Sequence, residues 1–533
     1  MNDLVAWIDL SSLSVFHLAC LAVAVGMLLW DTVEVGRNDA ANLVNAVFGA
    51  RVLSRRRAVL VAGIAVIAGA VLSSDVIDTA RKGIFDPARI TTLEGALTIY
   101  ISVYIVDTVL LFSYSAFGMP VSTTATIVFS LLGAAMAINI DTVNWTNSAM
   151  VMAGIVCSIV LTGIAAFLIQ RAVRGAIRDR TKHLATLLLH GGWVGGGFAT
   201  GLCYFMLLKG MKNVSFIKTF NAWLGSLDET LGISSLIVIL FLWGFFAILI
   251  HLLLILYRRR AARLLFPVLA VLGTLAMGFA FGQNDLANCA APGLATFELI
   301  KHQNVELATD LPISAWMLLL CGVLLFIGMN TKNAERVTKT AVSMGSTGDH
   351  VALWAPRWCL SLARKILRFR SAAPALAPRA GLTEAGKIVH YDSLRACVIM
   401  SVSASVIATA SSMGLPVSTT YVGIAAVLAT GMADRIFQRG DADLKVGRGI
   451  WVVTSWFLSA AIAVTATFLV ATVIFRLETS FGLGIVGIVG CIAFNFLVRR
   501  IVKRRADDLT TLVEDEAYER AHPEEFALEQ EDV

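Results

Sequence analysis

Two short phrases, each written twice, hold the residues of this chain that can do chemistry. G-x-N-D-x-A-N occurs at Gly36–Asn42 and again at Gly282–Asn288; P-V-S-T-T occurs at Pro120–Thr124 and again at Pro416–Thr420. The first phrase brings the carboxylates Asp39 and Asp285 among Asn38, Asn42, Asn284 and Asn288. Carboxylate and amide-carbonyl oxygens, with unwound backbone, suit a hard cation such as Na+. The asparagines also offer amide donors that can face an anion. Asp39, Asp285, Asn38 and Asn284 are therefore assigned to a cation, and Asn42 and Asn288 to an anion. The second phrase offers donors. Proline ends an incoming helix, and Ser or Thr caps an outgoing one whose first amides are unpaired and carry partial positive charge. Ser122, Thr123, Thr124 and Ser418, Thr419, Thr420 thus read as two anion-binding helix tips. The plainer readings are that the acids cap helices near an interface and that the hydroxyls only satisfy a kinked backbone.

The elements that position these residues are membrane helices. The 533 residues are 57% hydrophobic and only 15% charged, against about 25% charged in an average soluble protein. Apolar runs of about 17 to 25 residues recur, the length that crosses a bilayer. A polytopic all-α membrane protein follows, and the ten-residue alternation of an outer-membrane barrel does not dominate. The net charge of +6 comes from short basic clusters between apolar runs, which orient a membrane protein and do not suggest nucleic-acid binding. The eight cysteines are scattered, with no zinc or disulfide spacing, and no cleaved signal peptide is expected.

Placing Arg51–Arg57, Gln170–His183, Tyr257–Arg263, Arg499–Arg505 and the polar stretch from about Asn330 to Asp392 on the cytoplasmic side requires the chain to turn back within the membrane at each P-V-S-T-T. The N-terminus is then outside and the C-terminus cytoplasmic. The first phrase repeats at an offset of 246 residues and the second at 296, a difference matching the size of an extra loop in the second half. The topology makes the halves inverted, the plan of secondary transporters with broken-helix hairpins and a midplane site. The expected organisation is a first repeat with a linking helix over 1–232, the start of a second repeat over 233–330, a cytoplasmic loop over 331–392, the remaining repeat over 393–505 and an acidic tail over 506–533.

The paired motifs resemble the inorganic phosphate transporter (PiT) family, as does "TARKGI" at Thr79–Ile84. The resemblance implies symport of inorganic phosphate with Na+ or H+, usually in a homodimer; the expected location is the cell membrane, the cytoplasmic (inner) one if the source is bacterial. The tips would bind phosphate, and the Asp/Asn clusters the coupling ion. Many family members carry a glutamate in the helix after the first motif; here Val66 takes that place. The halves also differ: Asp31, Glu34 and Asp107 have Met277, Ala280 and Ser403 opposite them, and Arg37 has Gln283. Those three acids form a second cation or proton route, or pair with Arg37 or another base. The alternative substrate is sulfate or another tetrahedral oxyanion. A channel is a further class, and an intramembrane enzyme lacks the motifs H-E-x-x-H and G-x-S-x-G.

Overall fold

The computed structural model describes residues 13–72, 89–90, 92–212, 214–231, 235–302, 315–348, 351, 353–369, 389–438 and 441–521. "TARKGI", the whole 370–388 stretch and the end of the acidic tail lie outside them. The protein is all-α, with no strand among the described residues.

Helix α1, Val15–Gly49, starts where Ser14 caps His17 N and runs 35 residues straight through the first motif, about 52 Å at 1.5 Å per residue. After a short turn comes α2, Arg55–Ala70. The first hairpin is α3, Leu93–Ala116, and α4, Thr123–Ile138. Then follow α5, Trp145–Ile177; α6, Leu184–Leu202, prolonged by a π-helical stretch Cys203–Gly210; and α7, Ser215–Leu231. Helix α8, Ser235–His302, is broken at Arg258, where φ is 44°. Leu254 and Leu265 both lie at Gly191, and Ile250 and Leu269 both at Gly195, so the chain doubles back at the basic cluster. The second motif lies within the returning arm. Next are α9, Ala315–Met329, and α10, Lys332–Met344, bent 69° from it, then α11, Arg357–Leu367. The second hairpin is α12, Ser393–Ser412, and α13, Thr419–Ala433. Two long helices close the fold, α14, Ala442–Phe481, and α15, Gly484–Ala521. Among the described residues eight helices are long and apolar enough to cross a membrane, the doubled-back α8 counted once, with α4 and α13 as shorter apolar helices. Exposed Leu161, Phe457 and Val489 on α5, α14 and α15 are the apolar outer surface such a protein presents to lipid.

Three sequence expectations are corrected. Both G-x-N-D-x-A-N phrases lie inside continuous helix, so their backbone is not unwound, although the carbonyl of Asn288 lacks its helical donor because residue 292 is a proline. The incoming hairpin helices end on glycine, before the proline is reached. Gly118 (φ 64°) and Gly414 (φ 68°) adopt the left-handed conformation, and Met119 N and Leu415 N reach back to Tyr114 O and Ala410 O at 2.9 and 3.0 Å. That is a glycine-terminated helix end. The polar stretch after residue 330 is partly core: Ala334, Val337 and Thr338 of α10 are fully buried.

The halves interlock through motif glycines. A Cβ at Gly36 would sit 2.1 Å from Leu325 O of α9, and one at Gly282 2.2 Å from Val66 O of α2; Gly328 meets Val33 O and Gly69 meets Phe279 O in the same way. Each motif helix therefore touches, backbone to backbone, a helix of the other half. Helices α1 and α8 cross in opposite chain directions, since Thr32 lies near Cys289 and Leu28 near Gly293. The feet of the second hairpin are tied by Arg174 of α5. Its guanidinium donates to Asp392, which caps α12, at 2.7 and 3.0 Å, and to Asp434, at the end of α13, at 3.0 and 2.9 Å.

Candidate functional site

Pre-hairpin helices α3 and α12 deliver the chain to the two P-V-S-T-T corners, where the caps form as their residue types dictate. Ser122 Oγ accepts from Ala125 N at 2.9 Å and Ser418 Oγ from Tyr421 N at 3.1 Å. The next amides, Thr126 N and Val422 N, bond to the cap carbonyls. Of each first turn this leaves the amides of Thr123 and Thr124, and of Thr419 and Thr420, as the open donors.

The two tips touch. Thr124 Oγ1 donates to Val417 O and Thr420 Oγ1 to Val121 O, both at 3.0 Å. The motif helices grip them crosswise. Asn42 of α1 donates to Thr420 Oγ1 of the second hairpin at 2.9 Å, and Asn288 of α8 donates to Thr124 Oγ1 of the first at 2.9 Å. Thr420 Oγ1 also reaches Asp39 Oδ1 at 2.7 Å, whereas the matching Thr124–Asp285 contact is 3.5 Å. Asn38 and Asn284 brace their own tips, accepting from Val121 N at 3.3 Å and Val417 N at 3.2 Å. All twelve residues singled out in the two phrases are at most 1% exposed, and they converge on one place.

At the centre, Thr123 Oγ1 lies 2.9 Å from Asp39 Oδ2 and 3.0 Å from Asp285 Oδ1. One hydroxyl has one proton and can donate to only one of two carboxylates. The second contact is favourable only when a positive charge, an ion or a proton, sits with the pair. Asn42 Oδ1 and Asn288 Oδ1 are buried and accept no hydrogen bond. Two orphaned carbonyl oxygens at equivalent positions, beside two carboxylates, are a donor set for a hard monovalent cation. The arrangement therefore has anion donors at the tips and cation acceptors below them.

The three unmatched acids separate. Glu34 is paired, at 2.7 Å to Arg37 and 2.7 Å to Arg499, and the Arg499 guanidinium lies over Trp30 and Phe112. Asp31 and Asp107 are fully buried, and none of their four oxygens accepts a hydrogen bond. Arg499, which sequence reasoning placed only in a basic cluster, reaches Glu34 because α15 packs on α3; a lone arginine at a helix end carries no signal of that. Motif glycines Gly36 and Gly282 were likewise passed over, although their repetition beside the acids was the available clue. Val66 packs in the core against Gly282, with no carboxylate at that place.

The phosphate transporter family model matches residues 35–346 and 376–467, which include both copies of both motifs. A protein of Pyrococcus horikoshii assigned as a phosphate permease is 25% identical over 435 residues, covering 80% of this chain and 91% of that one. One of Chlamydia trachomatis, assigned likewise, is 26% identical over 465 residues, covering 83% and 94%. A solved structure of a sodium-dependent phosphate transporter has the same fold, with a TM-score of 0.60 at 20% identity over 86% of this chain and 99% of that one. With both copies of both motifs and the convergent tips inside the matched region, the chain belongs to the phosphate transporter family.

Proposed function

We propose that this chain imports inorganic phosphate by symport with Na+, through alternating access of two inverted repeats. The observation that carries the reading is the contact of two capped helix tips, one from each half, over Asp39 and Asp285. Phosphate takes the open amides and hydroxyls of Ser122, Thr123, Thr124, Ser418, Thr419 and Thr420, displacing the tip-to-tip hydrogen bonds. The cation takes Asp39 and Asp285. Geometry favours the orphaned carbonyls of Asn42 and Asn288 as its further ligands and leaves Asn38 and Asn284 to hold the tips. The sodium dependence of the structural neighbour supports Na+ over H+ at this place. Alternating access draws support from the opposed directions of α1 and α8 and from the crosswise grip, which lets one hairpin move with the other half's motif helix. The same reading puts the chain in the cytoplasmic membrane, N-terminus outside and C-terminus cytoplasmic, as a homodimer.

Uptake of radiolabelled phosphate into proteoliposomes tests the proposal. Saturable uptake under an inward sodium gradient is expected, abolished in Asp39→Asn and Asp285→Asn with the protein still folded and inserted. Excess sulfate is expected not to compete, because a buried acceptor that receives the P–OH proton finds no partner on sulfate. Wild-type uptake in both variants would remove the cation site, and competition by sulfate would favour the broader oxyanion permease.

A further inference from the structure

Asp31 and Asp107 lie outside both duplicated phrases and take no part in the site described above. Helices α1 and α3 run side by side in register: His17 meets Glu94 and Asn38 meets Ser115, each pair 77 residues apart. That register sets Asp31 level with Thr108 and beside Asp107, and the two carboxylates lie within electrostatic reach of each other. Both are fully buried and all four oxygens lack a hydrogen bond. Thr126 Oγ1 lies 2.8 Å from Thr123 O and also faces Asp107, and its single proton serves one of the two at a time. Tyr104 gives its own to Cys289 O at 2.6 Å.

The charges around the pair can be counted. Asp31 faces Asp107 of α3, Glu34 of its own helix and Arg499 of α15, with the neutral Tyr104 of α3 and Cys289 of α8 beside it. Asp107 faces Asp39 of α1 and Thr126 of α4. Glu34 with Arg37 and Arg499 amounts to one net positive charge. Asp31 and Asp107 amount to two negative charges when both are ionised. A single added positive charge makes these five side chains neutral, and unbalanced charge on the two fully buried acids is costly. A metal ion needs several oxygen ligands. Helices α1 and α3 are continuous here, so they offer no free backbone carbonyl as a ligand. A proton needs only the two carboxylates.

We propose that Asp31 and Asp107 share one proton and form an asymmetric proton-binding site, one per chain, within electrostatic reach of Asp39. Its part in transport rests on the phosphate-symport reading; the proton itself does not. Loss of that proton leaves one extra negative charge near Asp39, so the pair makes cation and phosphate binding respond to pH.

The test is infrared spectroscopy of the lipid-reconstituted protein at neutral pH in saturating sodium, so that Asp39 and Asp285 hold the cation and no proton, reading the deuterium-sensitive carbonyl stretch of a protonated carboxylic acid. The charge count predicts loss of that band in Asp31→Asn and also in Asp107→Asn, because the remaining carboxylate then balances the Glu34–Arg37–Arg499 group by itself. Asp31→Glu, which keeps the acid, is expected to retain a shifted band and so controls for misfolding. Persistence of the wild-type band in either asparagine variant overturns the proposal. So does a sodium-binding stoichiometry, measured with radioactive sodium, that falls by one ion in both. Phosphate uptake by the wild type is measured alongside: a protein that shows the band but carries no phosphate keeps the proton site and sinks the transport reading.

Discussion

Removing the Thr420 hydroxyl tests whether the hairpin tips recognise phosphate or merely end helices. Thr420→Val keeps the branched shape and deletes one donor. That donor lies 2.7 Å from Asp39 Oδ1 and 3.0 Å from Val121 O, and its oxygen accepts from Asn42 at 2.9 Å. A hydrogen bond to a charged group contributes about 1.5–3 kcal/mol, and about 1.4 kcal/mol is tenfold in affinity. Apparent phosphate affinity should therefore fall roughly ten- to a hundredfold. Thr124→Val, its mate in the first half, loses the same tip contact at 3.0 Å but a carboxylate contact of only 3.5 Å. Its affinity for phosphate should fall by a similar factor. The assay is initial-rate phosphate uptake against phosphate concentration at saturating sodium, with inserted protein quantified. Both variants within twofold of wild type would refute the reasoning.

Other outcomes follow from the surrounding structure. Arg174→Met leaves the buried Asp434 and the partly exposed Asp392 without their base; breaking a buried pair costs about 3–5 kcal/mol, so the thermal midpoint should drop sharply, and an unchanged midpoint would show that the second hairpin does not depend on it. Gly36→Ala and Gly282→Ala each drive a methyl against backbone carbonyl, at 2.1 and 2.2 Å, and should cut the yield of folded protein; normal yield in detergent size-exclusion profiles would contradict the close helix crossing. His390, outside the spans, is held neutral down to about 4 by burial and by the Arg51 and Lys445 charges, against an ordinary 6.5. The unfolded chain thus binds this proton first as pH falls, so stability is full above about 6.5 and declines toward 4, by up to on the order of 3 kcal/mol. His390→Gln should flatten that window in pH-dependent thermal melts, and an unaltered slope would discount the histidine.

Part of this protein was legible without coordinates because its signals are local or repeated. Apolar runs of membrane length declare all-helical spans, since backbone in lipid must satisfy itself. Ser122 and Ser418 declare helix starts by their own chemistry, and duplication picks out Asp39 with Asp285 and Asn42 with Asn288. What the sequence could not show is who touches whom across hundreds of residues. Thr420 lies against Asp39 and Thr124 against Asn288 because each motif helix is wedged into the other half through a bare glycine. The fate of the unmatched acids was decided in the same way. Glu34 is neutralised because α15 swings Arg499 onto it, while Asp31 and Asp107, written in the same alphabet, are left facing each other. Residue types set what each group can bind, and packing alone set which groups have already been satisfied.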